Sequence, residues 1–173
     1  MISLISGKYK GKKLHNFKNK EVRPTQAIIR KSIFQILEPF DGMEILDLYA
    51  GVGTLGFEAL SRGAALAVFV EKDRRVYKIL EKNTALFHNE KMRLHLSDSI
   101  KYISQIHNER FDIIFADPPY TMTNFQNLKK KVLKCLKPDG IFCMEMKKQY
   151  INESHDRIKY YGNKQVVFCK AIS

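Results

Sequence analysis

The 173-residue sequence has no tryptophan, only five prolines and only three cysteines. Cys135, Cys143 and Cys169 are odd in number and form no C-x-x-C pair. That excludes a disulfide scaffold and a zinc ribbon, and reads as small buried thiols in a reducing compartment. His15, His88, His95, His107 and His155 show no metal-ligand spacing, so no metal site is expected. No stretch approaches the ~20 apolar residues of a membrane helix. Lys8, Lys10, Lys12 and Lys13 break any apolar leader at the start, and a cytoplasmic protein away from membranes is expected. Acidic residues are the scarce charge, 18 Asp and Glu against 30 Lys and Arg, for a formal net charge of +12. The first 40 residues hold nine Lys or Arg against two Glu, so +7 of the excess is concentrated there. A polyanionic partner follows from that balance. At this length and with 45% hydrophobic residues, the chain fits one domain with a real core.

What the chain does have is a glycine-rich turn around which the rest is organised. Ile45, Leu46 and Leu48 form a short apolar run that breaks at Gly51, Gly53 and Gly56, and a helical pattern then runs to Gly63. A strand, a tight glycine turn and a helix let a backbone approach a ligand at a helix N-terminus. The spacing fits G-x-G-x-x-G, a weak signal alone. Asp47, four residues before Gly51, sharpens it. A carboxylate over the turn suits a cationic ligand such as the sulfonium and amino group of S-adenosylmethionine and would repel a pyrophosphate. The competing reading is that Asp47 caps the loop and the glycines only pack strand on helix.

Strand and helix patterns alternate from there. Ala67–Val70 reads as a strand ending on Glu71, Asp73 as the cap of a helix carrying Val76, Leu80 and Phe87, and Leu94–Leu96 as a strand ending at Ser97–Asp98. Ser99 starts a helix with Ile100, Ile103 and Ile106. Phe111–Ala116 is an apolar strand. Phe125, Leu128, Val132 and Leu136 share a helical face closed by Lys137–Pro138–Asp139–Gly140, and Ile141–Met146 is the next strand. Ile158–Tyr161 and Val166–Cys169, joined through Gly162–Asn163, read as an antiparallel hairpin. Before the glycine turn, Thr25 is the expected N-cap of a helix carrying Ile29, Ile33, Ile36 and Leu37, with Pro39 beyond its end. Residues 1–22 read as a basic β-hairpin or arm, and 23–173 as the core of the single domain. The expected class is α/β, a mostly parallel sheet with helices on both faces.

In such sheets ligands bind at the carboxyl ends of the strands. Four strands here carry an acid at that end: Asp47, Glu71, Asp98 and Asp117. Glu71, eighteen positions after Gly53, is placed to accept from ribose hydroxyls, and Asp98 from an adenine amino group. Asp117–Pro118–Pro119–Tyr120 is a rigid turn in which two prolines remove two N–H donors. It presents acceptors only, and Tyr120 offers a face for stacking, so a planar base with an exocyclic amino group is the natural occupant. In the arm, Lys8, Lys10, Lys12 and Lys13, with Tyr9 and Phe17 among them, can follow a phosphate backbone. Arg23 and Arg30 flank the first helix beside it.

DLYAGVG, the strand-end Glu71 and DPPY together resemble the Rossmann-like methyltransferases that use S-adenosylmethionine to methylate amino groups. ISGKYKGKKL, VRPT, LGFEALSRGA and DPPY resemble more narrowly the RsmD family, bacterial methyltransferases of guanine N2 in small-subunit ribosomal RNA. The resemblance implies S-adenosylmethionine as cofactor, S-adenosylhomocysteine as product and no metal. It implies cofactor contacts from Asp47, Tyr49, Gly51, Gly53, Glu71 and Asp98, and chemistry at Asp117, Pro118, Pro119 and Tyr120. It implies a monomer acting on ribosomal RNA within the small subunit or its assembly intermediate. Two features depart from the family: Ser3 lies where an Arg usually precedes the arm's first strand, and Gln26–Ala27–Ile28–Ile29–Arg30–Lys31 keeps only Arg30 of the usual charges. The rival readings are an adenine-N6 amino-methyltransferase of DNA or RNA, and a non-catalytic RNA-binding assembly factor on the same fold. A nicotinamide-dependent enzyme is disfavoured by Asp47.

Overall fold

A computed structural model describes residues 2–17, 24–119, 124–151 and 156–171. The elements run β1 (Ile2–Ser3), β2 (Lys13–Leu14), α1 (Pro24–Leu37), β3 (Glu44–Leu48), α2 (Thr54–Ser61), β4 (Leu66–Glu71), α3 (Arg74–Thr84), a 3-10 turn (Ala85–Phe87), β5 (Met92–Leu96), α4 (Ser99–Gln105), β6 (Phe111–Ala116), α5 (Phe125–Leu133), β7 (Leu136–Lys147), β8 (Arg157–Tyr161) and β9 (Lys164–Lys170). Seven strands form one sheet in the order β5-β4-β3-β6-β7-β9-β8. β3 to β7 are parallel, and β9 returns antiparallel between β7 and β8.

Strands buried on both faces read as continuous apolar runs, which is why EILDL, LAVFVE and FDIIFA were visible as strands. Ile45, Ala67, Phe69, Ile113, Phe115 and Cys143 face one layer with α1, α2 and α3. Leu46, Leu48, Val68, Val70, Ile114 and Met144 face the other, with α4 and α5. The order reverses at β3, whose neighbours are β4 and β6. That switch point opens a crevice beyond the strand ends.

The expected cap at Asp73 holds, Asp98 proves to be a cap as well, and the one expected at Thr25 shifts. Asp73 accepts from the amides of Arg75 and Val76, and Asp98 from those of Ile100 and Lys101. α1 instead begins at Pro24, so Thr25 lies inside its first turn rather than at the cap; proline suits the first helical position because its missing N–H would be unpaired there. α5 also ends earlier than its periodicity indicates. Leu136 and the Lys137–Gly140 stretch belong to β7, which takes up Asp139 at φ 62° beside a register shift against Phe111 and Ile113. A turn-forming sequence is thereby absorbed as a bulge.

The N-terminal arm is a hairpin, β1 paired antiparallel with β2, and it is fastened to the core. Leu4 and Leu14 are buried. The Ile5 and Ser6 amides donate to the fully buried Glu58 carboxylate, and the Lys8 amide donates to the Ser61 carbonyl.

Candidate active site

β3 delivers Asp47 to the switch point, and the side chain is 2% exposed. Its Oδ2 accepts from the Gly56 amide at 2.9 Å, in the first turn of α2. The capping reading of Asp47 is therefore the contact seen: the carboxylate secures the helix behind the turn instead of standing free above it. Burial pushes its carboxyl up to about 7, the Gly56 hydrogen bond opposes this, and Asp117 and Glu71 add to it. Asp47 thus feels two further acids, Asp117 just after β6 and Glu71 at the end of β4.

The glycines divide the work of the turn. A Cβ on Gly56 would stand 2.2 Å from the Phe69 ring, so glycine lets α2 lie on β4. A Cβ on Gly51 would meet nothing within 4 Å, and its φ of 58° places it in the left-handed region. The backbone at Gly51 is therefore open to a ligand, while Gly53 immediately precedes α2. Tyr49 has φ 60°, a conformation costly for a non-glycine residue and often held at functional sites. Its half-buried hydroxyl is raised to about 12 by burial and by the charge of Asp98, against a hydrogen bond with Ser99.

Glu71 accepts from the Gly51 amide at 2.9 Å through Oε2 and from the Asp73 amide at 2.7 Å through Oε1. Asp98 uses Oδ1 to cap α4. Both acids expected to receive the ribose and adenine are thus already holding backbone. Each carboxylate oxygen has a second lone pair, so Glu71 can brace the turn and still accept from a hydroxyl.

Asp117 follows β6 directly. It keeps a solvent-facing edge, but burial pushes its carboxyl up to about 7, with Glu145 adding and Lys164 opposing. The register explains the neighbours. Ala116 pairs with Met144, so Asp117 lies beside Glu145 of β7, which forms an ion pair with Lys164 of β9. Pro118 is buried and Pro119 exposed. Tyr120 and Arg23 lie outside the described residues. Sequence reasoning missed Glu145 and Lys164, because only strand pairing brings residues 28 and 47 positions away next to Asp117. It also missed Asn83, fully buried, whose amide ties the carbonyls of His15 and Val52 to α3.

The basic candidates separate. Lys8 pairs with Glu90 at 2.8 Å. Lys12 donates to the Leu86 carbonyl and lies 4.9 Å and 4.8 Å from the Tyr9 and Phe87 rings. Arg30 donates to the Ser3 carbonyl at 2.8 Å, and burial lowers its pKa. All three hold the arm in place, Lys12 and Arg30 from partly buried positions and Lys8 with its side chain still half exposed beside Glu90. Lys10 and Lys13 are exposed and form no ion pair with a described residue.

A sheet of this order, with an open glycine turn at the switch point and acids at the ends of β3, β4 and β6, is the Rossmann-like methyltransferase fold. A methyltransferase of Agrobacterium tumefaciens that depends on S-adenosylmethionine superposes with a TM-score of 0.66 over 87% of this chain and 63% of its own, at 15% identity, a likeness of fold alone. Residues 2–170 match the family described as conserved hypothetical protein 95, and the chain belongs to it; this is the RsmD family. The ribosomal RNA small subunit methyltransferase D of Buchnera aphidicola is 34% identical over 159 residues, 87% of this chain and 81% of the relative. The proposed methyltransferase yhhF of Escherichia coli superposes with a TM-score of 0.83 at 27% identity, over 99% and 98% of the two chains.

Proposed function

We propose that this protein is a single-domain methyltransferase that moves a methyl group from S-adenosylmethionine to the exocyclic N2 of a guanine in small-subunit ribosomal RNA. The observation that carries it is the placement of Asp117–Pro118–Pro119 at the end of β6, one strand from the Gly51 turn, with Asp47 on the intervening β3 and Glu71 on β4 at the turn's other side. The open backbone at Gly51 and an acceptor-only acidic lining fit a cationic cofactor.

S-adenosylmethionine, when bound, supplies an electrophilic methyl on a sulfonium that leaves as a neutral thioether. Glu71 and the turn amides hold the ribose side, and Asp47 and Tyr49 border the turn. The guanine must leave its stack or be unpaired beforehand. Its N2 lone pair is delocalised into the ring. Asp117 and the Pro118 carbonyl accept its two N–H bonds, localise that lone pair and fix its direction, with Tyr120 stacking the base. The chain's contribution is positioning and electrostatics. As nitrogen gains the methyl it must lose a proton, and Asp117, with its raised pKa, is placed to take it.

The decisive experiment is transfer of a tritiated methyl to free small-subunit ribosomal RNA, assembled small subunits and DNA, with mass spectrometry of the digested nucleosides. N2-methylguanosine from an RNA substrate is expected. Product confined to N6-methyladenosine would hand the assignment to the adenine reading, and cofactor binding without transfer to any substrate would favour the non-catalytic one.

A further inference from the structure

The sheet's carboxyl-end edge has two halves. β3, β4 and β5 border the glycine turn, and β6 ends at Asp117. The other half is the end of β7, the end of β8 and the start of β9, which the antiparallel pairing brings to the same edge. The acid on this second half is neutralised within the protein, Glu145 by Lys164, and Asp156, at the far end of β8, is paired with Lys129. Lys147 and Lys148 at the end of β7 are exposed and form no ion pair with a described residue; Arg157 and Lys159 are exposed too, but alternate onto the face of β8 opposite Tyr160, and Glu153 lies outside the described residues. Two large aromatic rings are exposed on this half, Tyr150 at 88% and Tyr160 at 58%. The Lys148 ammonium lies 5.2 Å from the Tyr160 ring centroid.

A lysine-rich edge strand has a plain explanation, since charge there blocks pairing with other sheets. It does not account for two exposed tyrosines at the site's end of the edge. Nor is the segment after β7 loosely placed. The Lys148 amide donates to the Asn163 carbonyl at 2.9 Å, and the Gln149 amide to the side chain of fully buried Gln165 at 3.1 Å. Tyr160 is the register partner of Gln165, so the same residue anchors the segment carrying Lys148 beside the ring that Lys148 covers. The result is a fixed aromatic ring with the Lys148 cation beside it at the end of β7.

We propose that this β7–β8 edge is a single-stranded RNA contact surface, with Tyr160 stacking a base that flanks the target nucleotide and Lys147 and Lys148, at the end of β7, meeting its phosphates. The proposal rests on the reading of RNA as substrate. A base stacked on an aromatic side chain is held sequence-tolerantly, and unpaired lysines add a salt-dependent term. Neighbouring nucleotides are thereby fixed on one side of Asp117 while the cofactor turn lies on the other.

The test uses the full chain and a fluorescein-labelled single-stranded 12-mer oligoribonucleotide, titrated at two salt concentrations. Tyr160→Ala is expected to weaken binding about 10-fold, Tyr160→Phe to stay near wild type, and Lys147→Gln with Lys148→Gln to flatten the log–log salt slope by about 1.4. S-adenosylmethionine affinity and melting temperature should be unchanged, since these side chains are exposed. Wild-type oligonucleotide affinity in Tyr160→Ala together with an unaltered slope in the lysine pair would overturn the surface. Failure of the parent reading looks different: the wild-type protein would bind cofactor and transfer no methyl to ribosomal RNA, whatever Tyr160 does.

Discussion

Asp47 is buried and Asp117 exposed at the rim of the crevice, a strand apart, and each carboxyl is raised to about 7. For Asp47 the folded protein holds the proton more tightly than the unfolded chain does. Stability therefore falls as pH rises from the ordinary carboxylate range through about 7. Asp47→Asn keeps an acceptor for the Gly56 amide and removes that fall. Its melting temperature should match wild type only below about pH 4 and exceed it by several degrees at pH 8, since ~1 kcal/mol is worth roughly 2–4 °C at this size. Superimposable melting curves at both pH values would show that Asp47 is not carrying an unfavourable charge. Asp117 makes a kinetic prediction. Its contacts tighten as N2 becomes nucleophilic, so Asp117→Ala should lower the single-turnover rate about 10²–10³-fold with little change in cofactor affinity. The wild-type rate should climb as Asp117 ionises through about pH 7. Wild-type turnover by Asp117→Ala would remove it from the chemistry.

At the scale of elements, the β1–β2 arm joins two tasks that its sequence does not distinguish. Lys8, Lys10, Lys12 and Lys13 read as one basic run, yet Lys8 and Lys12 clip the arm to Glu90 and Leu86 while Lys10 and Lys13 face solvent. Lys10→Gln with Lys13→Gln should flatten the salt dependence of RNA binding by about 1.4 in log–log slope and leave stability unchanged. Lys8→Gln with Lys12→Gln should instead lower the denaturation midpoint. Equal effects of the two pairs on both readouts would contradict this division. The core strands were legible because burial on both faces writes itself as an apolar run. The closing hairpin was legible because Gly162–Asn163 sits between Ile158–Tyr161 and the apolar run Val166–Cys169. The β7 bulge was not, because Lys137–Gly140 has turn chemistry and only pairing with β6 makes it a strand. The acids were legible as a set at strand ends, but not their partners. Asp47 on Gly56, Glu71 on Gly51 and Glu145 beside Asp117 are contacts that require the register.

Over the whole molecule, the +12 charge and the acidic crevice pull in opposite directions. Asp47, Glu71, Asp117 and Glu145 gather at the strand ends, while exposed lysines occupy the arm and the β7–β8 edge. On the proposed reading, a phosphate backbone is attracted to the rims and repelled from the crevice, and a base and a cation are what the crevice is suited to admit. Salt should then act on encounter with RNA and not on chemistry. At saturating cofactor, kcat/KM for RNA should fall steeply between about 50 and 200 mM salt, each phosphate contact adding roughly 0.7–0.9 to the log–log slope. The kcat should change little, because the acceptors on the target are local and partly buried, where screening is weak. The KM for S-adenosylmethionine should also stay nearly constant, since its charge is met by acids inside the crevice and not by the outer field. Steady-state kinetics with each substrate varied in turn separates these terms. A kcat that falls in step with kcat/KM would mean that the basic rims act after binding, in setting the target base against Asp117.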